Sequence, residues 1–490
     1  MDKKVTVFIP YNGSAYSLKT INDLIPSQNE TELIANVYFL LSPDTTGIKD
    51  FKSIRIDNFF STKTLIEISE KTNTGYVLII LDDIPVLPGQ FMIERCYEVA
   101  ESTDAGILYS DYYEIKDGIK TLHQTIDYQP GSVRDDFDFG PVIFVKTEAL
   151  KNAVKRINED YIFAGFYDIR LKISQHFRII RIPEFLYTIT RADVVSESQK
   201  HFAYVNPKNR AVQIEMEKAV TQHLRQIGAY LKPDFNEISF NDEDFKIEAS
   251  VIIPVKNRVK TIGDAIKSVL NQKTGFNFNI IVVDNYSDDG TTELVNSFSG
   301  ADSRIVHIIP QRNDLGIGGC WNEAVFNPEC GRFSVQLDSD DVYKDENTLQ
   351  LIINKFKEEK APMVIGSYTI TNFNLEEIPP GIIDHREWTP ENGRNNALRI
   401  NGFGAPRAFY TPVLRKIKLP NTSYGEDYAV GLAISRNYQI ARIFEPIYFC
   451  RRWEDNTDSQ IDTNKINKYN FYKDKLRTYE IMARQKKNRL

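Results

Sequence analysis

Two carboxylates one residue apart, placed directly after an apolar run, are the strongest chemical signal in this chain. Phe333-Ser334-Val335-Gln336-Leu337 reads as a buried strand, and Asp338-Ser339-Asp340-Asp341 follows it. Hard divalent ions take oxygen ligands, so Asp338 and Asp340 could hold Mg²⁺ or Mn²⁺ and leave coordination positions for a diphosphate. A plain acidic turn is the competing reading. An EF-hand start fails, because the position that requires Gly is Tyr343. A second acid, Asp284, ends the run Ile280–Val283, where an acceptor can bind the ring N–H of a nucleobase; Asp288 and Asp289 behind it read as turn and cap residues. A third group, Gly425-Glu426-Asp427, opens a helix running to Ser435. The helix dipole alone favours acids there, but a general base is the natural chemical use. The fourth segment, Asn313-Asp314-Leu315-Gly316-Ile317-Gly318-Gly319, brings glycines into a helix start, where backbone N–H groups can approach a phosphate or nucleoside.

These residues need a sheet edge to converge on. Apolar runs at 250–254, 279–284 and 333–338 alternate with helix-like stretches such as 259–270, in which Ile262, Ala265, Ile266, Val269 and Leu270 recur at helical spacing. Strand, helix, strand at this length predicts an α/β parallel sheet, and ligands bind beyond the carboxyl ends of its strands. The chain also repeats itself. Tyr167–Arg191 lies on Tyr428–Arg452 without a gap, with 10 of 25 positions identical, where chance supplies roughly one or two. Val7-Phe8-Ile9-Pro10 likewise matches Val251-Ile252-Ile253-Pro254, and Phe139-Gly140 matches Phe403-Gly404. Two copies of one fold are therefore expected, and the repeat is a control for the third group: Gly165 and Phe166 stand where the second copy has Glu426 and Asp427, so helix stability does not require those acids.

The expected layout is a first copy over 1–192, a helical linker and acidic tether over 193–245, a second copy over 246–459 and a helical tail over 460–490. Within the linker, Val212, Met216, Ala219, Val220, Leu224 and Ile227 predict an amphipathic helix packed on one or both copies; the polar stretch 236–248 predicts a solvated tether. The tail ends Gln485-Lys486-Lys487-Asn488-Arg489-Leu490, a basic end that could touch anionic lipid; a solvated helix end complementing its own dipole is the simpler reading.

Composition removes other classes. With 42% hydrophobic and 12% aromatic residues over 490 positions the chain is no disordered polymer. A net charge of −7 argues against coating nucleic acid. Cys96, Cys320, Cys330 and Cys450 lack the spacing of a zinc site or disulfide scaffold. No signal-peptide core or membrane-length apolar run is visible, so a cytoplasmic location is expected, with peripheral contact at the inner membrane face through the tail.

From about Ala249 to Ser459 the segments together resemble the family-2 glycosyltransferases of the GT-A fold. The motifs are Ser250-Val251-Ile252-Ile253-Pro254-Val255-Lys256-Asn257, Val282–Thr291, Asn313–Ala324, Leu337–Asp341 and Gly425–Asp427, in the family's order. The resemblance implies two GT-A-like (Rossmann-related) domains joined by a helical linker, the first degenerate and acting as scaffold or acceptor-binding module. It implies a nucleotide-diphosphate sugar as donor, Mg²⁺ or Mn²⁺ as cofactor, and a glycan or lipid-linked glycan as acceptor in cell-surface polysaccharide or glycolipid synthesis. By the same likeness Pro254, Val255, Asn257, Asp284 and Asn313 hold the nucleotide, and Asp338 faces ribose or donor sugar while sharing the metal with Asp340. Asp427 takes the acceptor's proton, with Glu426 beside it, in an inverting transfer. The chain departs from many relatives after its last strand, where they have a His and it has Cys450-Arg451-Arg452-Trp453-Glu454-Asp455. Glu454, Asp455, a water or an arginine would have to substitute. The irregular stretch 372–403, with His385, Trp388, Arg394 and Arg399, is the expected acceptor region. Two rivals follow from the same residues: a non-catalytic nucleotide-sugar or glycan-binding protein with two decayed domains, and a nucleotidyltransferase on a related sheet.

Overall fold

The computed structural model describes residues 4–15, 19–20, 33–47, 51–191, 209–240, 245–453 and 462–489. The chain divides into two units: Met1–Lys200 with Arg210–Tyr230 and Asp462–Leu490, and His201–Asn209 with Leu231–Ile461.

The first unit runs β1 (Val5–Tyr11), β2 (Ile34–Leu41), β3 (Lys52–Arg55), α1 (Thr62–Lys71), β4 (Tyr76–Ile80), β5 (Val86–Pro88), α2 (Met92–Thr103) and β6 (Ile107–Lys116). It continues with β7 (Ile119–His123), β8 (Val142–Lys146), α3 (Thr147–Val154), α4 (Gly165–Ser174), β9 (Ile179–Arg191) and α5 (Arg210–Gln226). The second runs β10 (Ala249–Val255), α6 (Ile262–Leu270), β11 (Phe278–Asp284), α7 (Thr291–Ala301), β12 (Ile305–Ile308), α8 (Ile317–Val325), β13 (Phe333–Gln336), β14 (Val342–Tyr343) and α9 (Thr348–Glu359). After these come β15 (Met363–Thr371), β16 (Glu377–Ile383), α10 (Gly393–Asn396), β17 (Arg407–Tyr410), α11 (Thr411–Ile417), α12 (Glu426–Ser435) and β18 (Ile440–Arg451); the last helix, α13 (Thr463–Arg489), returns to the first unit.

Both sheets have one topology. The first is ordered β3-β2-β1-β4-β8-β6-β9-β5 with β7 on β6, and the second β12-β11-β10-β13-β17-β15-β18-β14 with β16 on β15. Each strand number in the second exceeds its counterpart by nine, so the repeat read from 25 residues extends over the whole sheet. The inner strands are parallel and covered on both faces, which is why β11 is buried at every position and reads as an unbroken apolar run. Helix α6 buries Ile262, Ala265, Ile266 and Val269, the stripe seen in the sequence. The β10–β11 register sets Val255 beside Asp284 at the carboxyl edge.

Two expectations about the connecting segments need correction. The stretch 236–248 is not simply a solvated tether. Phe240 lies 5.0 Å from the Tyr410 ring and 5.2 Å from Phe333, because an aromatic side chain gains more from the core than from water; residues 241–244 lie outside the described residues. The C-terminal helix, expected as a separate tail, packs into the first unit, while its basic end at 486–489 is exposed. Asp474, Arg477 and Arg484 of α13 are fully buried in the first unit. Asp474 accepts from Ser132 Oγ at 2.8 Å and pairs with Arg477 at 2.8 Å, and Thr478 Oγ1 accepts from Gly131 N at 2.9 Å. A charged buried face leaves no apolar period to read. Helix α5 also belongs to the first unit, with Val220 and Leu224 inaccessible. Among the described residues no helix is long and apolar enough to cross a membrane.

Candidate active site

The loops after β10 and β11 are laced together at the carboxyl edge. Asn257, in the left-handed region at φ 54°, donates its N–H to Ser287 Oγ at 2.9 Å, and its side-chain oxygen accepts from Asp288 N at 2.9 Å. Arg258 N donates to Thr291 Oγ1 at 2.8 Å and Val259 N to Asp289 Oδ2 at 3.0 Å. Asp289 also accepts from Thr291 N, a turn contact at the start of α7. Asp284 is fully buried, and its oxygens accept from Ser287 N at 3.0 Å and from the Thr292 hydroxyl. Burial pushes this carboxyl up, but His307, Ser287 and Thr292 overcome that and hold it at about 2. The sequence reading gave Asp284 to a nucleobase; in the structure its oxygens also hold the Ser287–Thr292 turn. Pro254 is half-buried, Val255 buried, and Asn313 exposed before α8.

The glycines at 316–319 also do something other than expected. A Cβ on Gly318 would lie 1.9 Å from Pro420 O, one on Gly319 2.4 Å from Asn421 Oδ1, and one on Gly316 2.6 Å from the Thr422 carbonyl carbon. The N–H groups of Gly316 and Gly318 are taken by Asn421 Oδ1 and Thr422 O, at 2.7 and 2.9 Å. This loop admits the 420–423 backbone rather than cradling a phosphate, and 420–423 leads directly into Glu426 and Asp427 at the start of α12.

The carboxylates meet around an arginine that the sequence reading missed. Arg407, first residue of β17, places Nη1 2.8 Å from Asp427 Oδ2 and donates the same nitrogen to Gly404 O at 2.8 Å. Burial alone would lower Arg407, but Asp427, Asp338 and Glu426 hold its guanidinium above the usual range. Gln336 locks the arrangement: its Oε1 accepts from Arg407 N at 3.0 Å and its Nε2 donates to Asp338 Oδ1 at 2.9 Å. A glutamine 2% exposed inside the run Phe333–Leu337 was the visible signal. Burial raises the Asp338 carboxyl, Arg407 opposes this, and Asp340 and Asp427 add to the rise. Asp341 is pushed well up by burial and by Asp340 and Asp338. Glu426 is 8% exposed at the helix start.

This donor set fits a hard divalent cation. Oxygen ligands sit on one loop in a buried, mutually repelling cluster that favours added positive charge. Among the described residues no three His, Cys, Asp or Glu side chains come together as a metal site. Asp338 and Asp340 alone would leave most positions of such a cation to other oxygen donors. Arg258 adds fixed charge, with Nε 4.0 Å from Asp340 Oδ2.

Of the candidates to replace the relatives' histidine, Glu454 and Asp455 lie outside the described residues. Arg451 is 2% exposed and tied beneath the acidic loop: its N–H donates to Asp341 Oδ1 at 2.8 Å, its Nε to Asp340 O, and its Nη1 to Asp264 at 3.0 Å. It braces the loop. The stretch 372–403 contains β16 and α10, and its marked residues are structural. Trp388 is 7% exposed and packs on Phe403. Arg394 donates to the carbonyls of Ser435, Lys232, Asp234 and Arg436, and Arg399 to Asn396 Oδ1. His385 Nδ1 lies 2.9 Å from Glu387.

Known proteins similar to this chain are glycosyltransferases. The family model described as glycosyl transferase family 2 matches residues 250–413. Among relatives, the putative teichuronic acid biosynthesis glycosyltransferase TuaG of Bacillus subtilis is 33% identical over 193 residues, covering 39% of this chain and 73% of TuaG. Glycosyltransferase GlyG of Streptococcus pneumoniae is 32% identical over 128 residues, 26% of this chain; the chain spans only 40% of GlyG's own length. Among solved structures, S. aureus TarS 1-349 in complex with UDP-GlcNAc is 19% identical, with 49% of this chain and 72% of that one covered at a TM-score of 0.37.

Proposed function

This chain belongs to glycosyl transferase family 2, and we propose that its second unit transfers a sugar from a nucleotide-diphosphate donor to an acceptor hydroxyl with inversion, in the synthesis of a cell-surface polysaccharide. The observation that carries the reading is the meeting of Asp338 and Asp427 around Arg407 at one sheet edge, with Asp340 acting on Asp338. TuaG, a glycosyltransferase putatively of teichuronic acid biosynthesis, supports the polysaccharide assignment.

In this reading Pro254, Val255, Asn257 and Asn313 border the nucleotide, and Asp284 shapes their loop through Ser287 and Thr292. Asp427 is paired with Arg407 at 2.8 Å, and a neighbouring positive charge favours a carboxyl's ionised form. Asp427 accepts the proton of the acceptor hydroxyl as that oxygen bonds to the anomeric carbon and the bond to the departing diphosphate breaks. Glu426 borders the same edge. Asp338 and Asp340 would hold Mg²⁺ or Mn²⁺, which supplies charge stabilisation to the diphosphate leaving group. The first unit keeps the sheet without the helix acids and serves as scaffold or acceptor-binding module. Exposed Lys486, Lys487 and Arg489 at the end of α13 support peripheral contact with anionic lipid near a lipid-linked acceptor.

The test is nucleotide release from a panel of UDP- and GDP-sugars, with and without Mn²⁺, in the presence of glycan acceptors. Acceptor-dependent release that requires Asp427 is expected. Donor binding with no release from any donor would favour a binding protein and end the proposal.

A further inference from the structure

The first unit contains a cavity of about 280 Å³ whose walls include six aromatic rings, Phe60, Phe137, Phe139, Phe163, Phe166 and Tyr167. Its place in the repeat is informative. Helices α4 and α12 are each ten residues long and superimpose in the duplicated sequence, so Phe166 occupies the place of Asp427 and Arg170 that of Gly431. In the second unit Gly431 is pressed against Phe403, where a Cβ would fall 2.5 Å from the ring. In the first, a full arginine stands there and lines the cavity.

That arginine is poorly explained by the protein alone. Arg170 is 2% exposed, and its guanidinium lies 4.8 Å from the Tyr167 ring, 5.4 Å from Phe139 and 5.8 Å from Phe137. Stacking on rings stabilises the faces of a guanidinium, but its N–H groups point outward in the plane and need acceptors. Nη2 donates to Arg134 O, whereas the buried Nη1 has no hydrogen-bond partner. A buried charged donor left bare is costly, and a charged acceptor is worth more to it than a neutral one. Asn58 and Asp135 complete the polar part of the wall; a carboxylate there accepts from hydroxyl donors. The ligand must therefore present flat apolar faces to rings and an anionic oxygen to Arg170.

We propose that this cavity binds a single acidic sugar residue, a pyranose carrying a carboxylate or phosphate, as a non-catalytic glycan subsite. The C–H faces of the sugar lie on the aromatic walls and its acidic group meets Arg170 Nη1. That the sugar belongs to an acceptor glycan rests on the glycosyltransferase reading; the binding itself does not.

The experiment is saturation-transfer NMR on the full chain, with excess UDP present to fill the donor site and glucuronic acid, glucose 6-phosphate and glucose as probes. At least one acidic sugar should bind saturably and at least tenfold more tightly than glucose; whichever of the two prevails names the acid. Arg170→Met should bring that probe down to the level of glucose, Arg170→Lys should keep the preference for charge, and Phe60→Ala at the exposed rim should weaken binding without unfolding. If Arg170→Met fails to fold by circular dichroism, Phe60→Ala decides. Glucose binding as tightly as the acids, acidic sugars indifferent to these substitutions, or no binding of any probe overturns the proposal. Acceptor-dependent nucleotide release, assayed separately, reports on the second unit, so failure of the transferase reading shows as no release with sugar binding intact.

Discussion

The two units share a strand order and differ in what they place at one sheet edge. In the second, α12 begins with Glu426 and Asp427, and Arg407 ties Asp427 to the cluster around Asp338. In the first, the matching helix begins with Gly165 and Phe166, and Asp83, in the loop after β4, accepts a hydrogen bond from Ser14 Oγ at 2.9 Å. The sheets are maintained by buried apolar strands in both, so the fold places no demand on the carboxylates. A duplicated scaffold can lose chemistry at a few helix-start positions without losing its architecture, and the retained acids of the second unit are then best explained by a reaction.

The sharpest way to break this comparison is to exchange its polarity. Asp427→Asn should lower sugar transfer by about 10³-fold, the range typical of a lost general base, while UDP still raises the melting temperature. Asp83→Asn in the first unit should leave turnover within about twofold. Steady-state kinetics on both variants decides; loss of transfer in Asp83→Asn would show that the first unit takes part in the chemistry.

The helix after the third strand gives the next largest contrast. Gly318 is the second residue of α8 and has Pro420 O where a Cβ would go; the second residue of α1 is Lys63, whose side chain is 73% exposed. Gly318→Ala should destabilise by about 3 kcal/mol, because backbone must move, and Lys63→Ala should change stability by less than about 0.5 kcal/mol. Urea unfolding measures both. Comparable effects would mean that 420–423 yields easily and does not fix the start of α12.

The units should also part company in mild acid. His223 in the first is 5% exposed, and burial with Arg170 and Lys172 nearby lowers it to about 3. The unfolded chain takes up this proton near pH 6.5 and the folded chain does not. Stability is thus complete above about 6.5 and falls by about 1.4 kcal/mol per pH unit below it, until about pH 3, so near 2 kcal/mol is lost by pH 5. His385 in the second unit is lowered by burial too, but Glu387 at 2.9 Å gives its charged form a partner. Asp284, held at about 2, keeps its contribution until the pH falls below the usual carboxylate range. The three tryptophans, Trp321, Trp388 and Trp453, all lie in the second unit. Circular dichroism melts should therefore drop between pH 7 and 5 more than tryptophan-detected melts, and His223→Gln should remove the difference. Equal shifts would count against a separate acid response.

What was legible in the sequence follows from what each segment is buried against. Strands covered on both faces, such as β10 and β11, appear as continuous apolar runs, and α6 shows its stripe; these are local consequences of burial. Helix α13 was legible as a helix but its packing was not, because its buried face includes Asp474, Arg477, Glu480 and Arg484, where ion pairs replace apolar packing. Motifs brought the acids to attention, but motifs are blind to partners distant in sequence: Gly318 answers to Pro420, and Arg407 to Asp427 and Asp338. Trp388, Arg394 and Arg399 looked like ligand-binding types, and their partners prove to be the protein's own rings and carbonyls.

The smallest expected effect isolates Arg407 from the acids it serves. Its charge opposes the rise of Asp338 and pairs directly with Asp427. Arg407→Met removes that charge, so carboxyls at this edge must titrate higher. At alkaline pH, where they are ionised anyway, transfer should fall by only about tenfold, the scale of one lost charged hydrogen bond. Near neutrality the loss should be greater, because the acid limb of the kcat/KM profile moves upward as the base spends more of its time protonated. Arg407→Lys should restore the position of the limb more fully than the rate, since an ammonium replaces the charge but cannot hold both Asp427 and Gly404 O in the guanidinium's geometry. A profile of unchanged shape, merely scaled down, would show that Arg407 braces the strand without setting the ionisation of the acids, and the contrast between the units would then rest on the carboxylates alone.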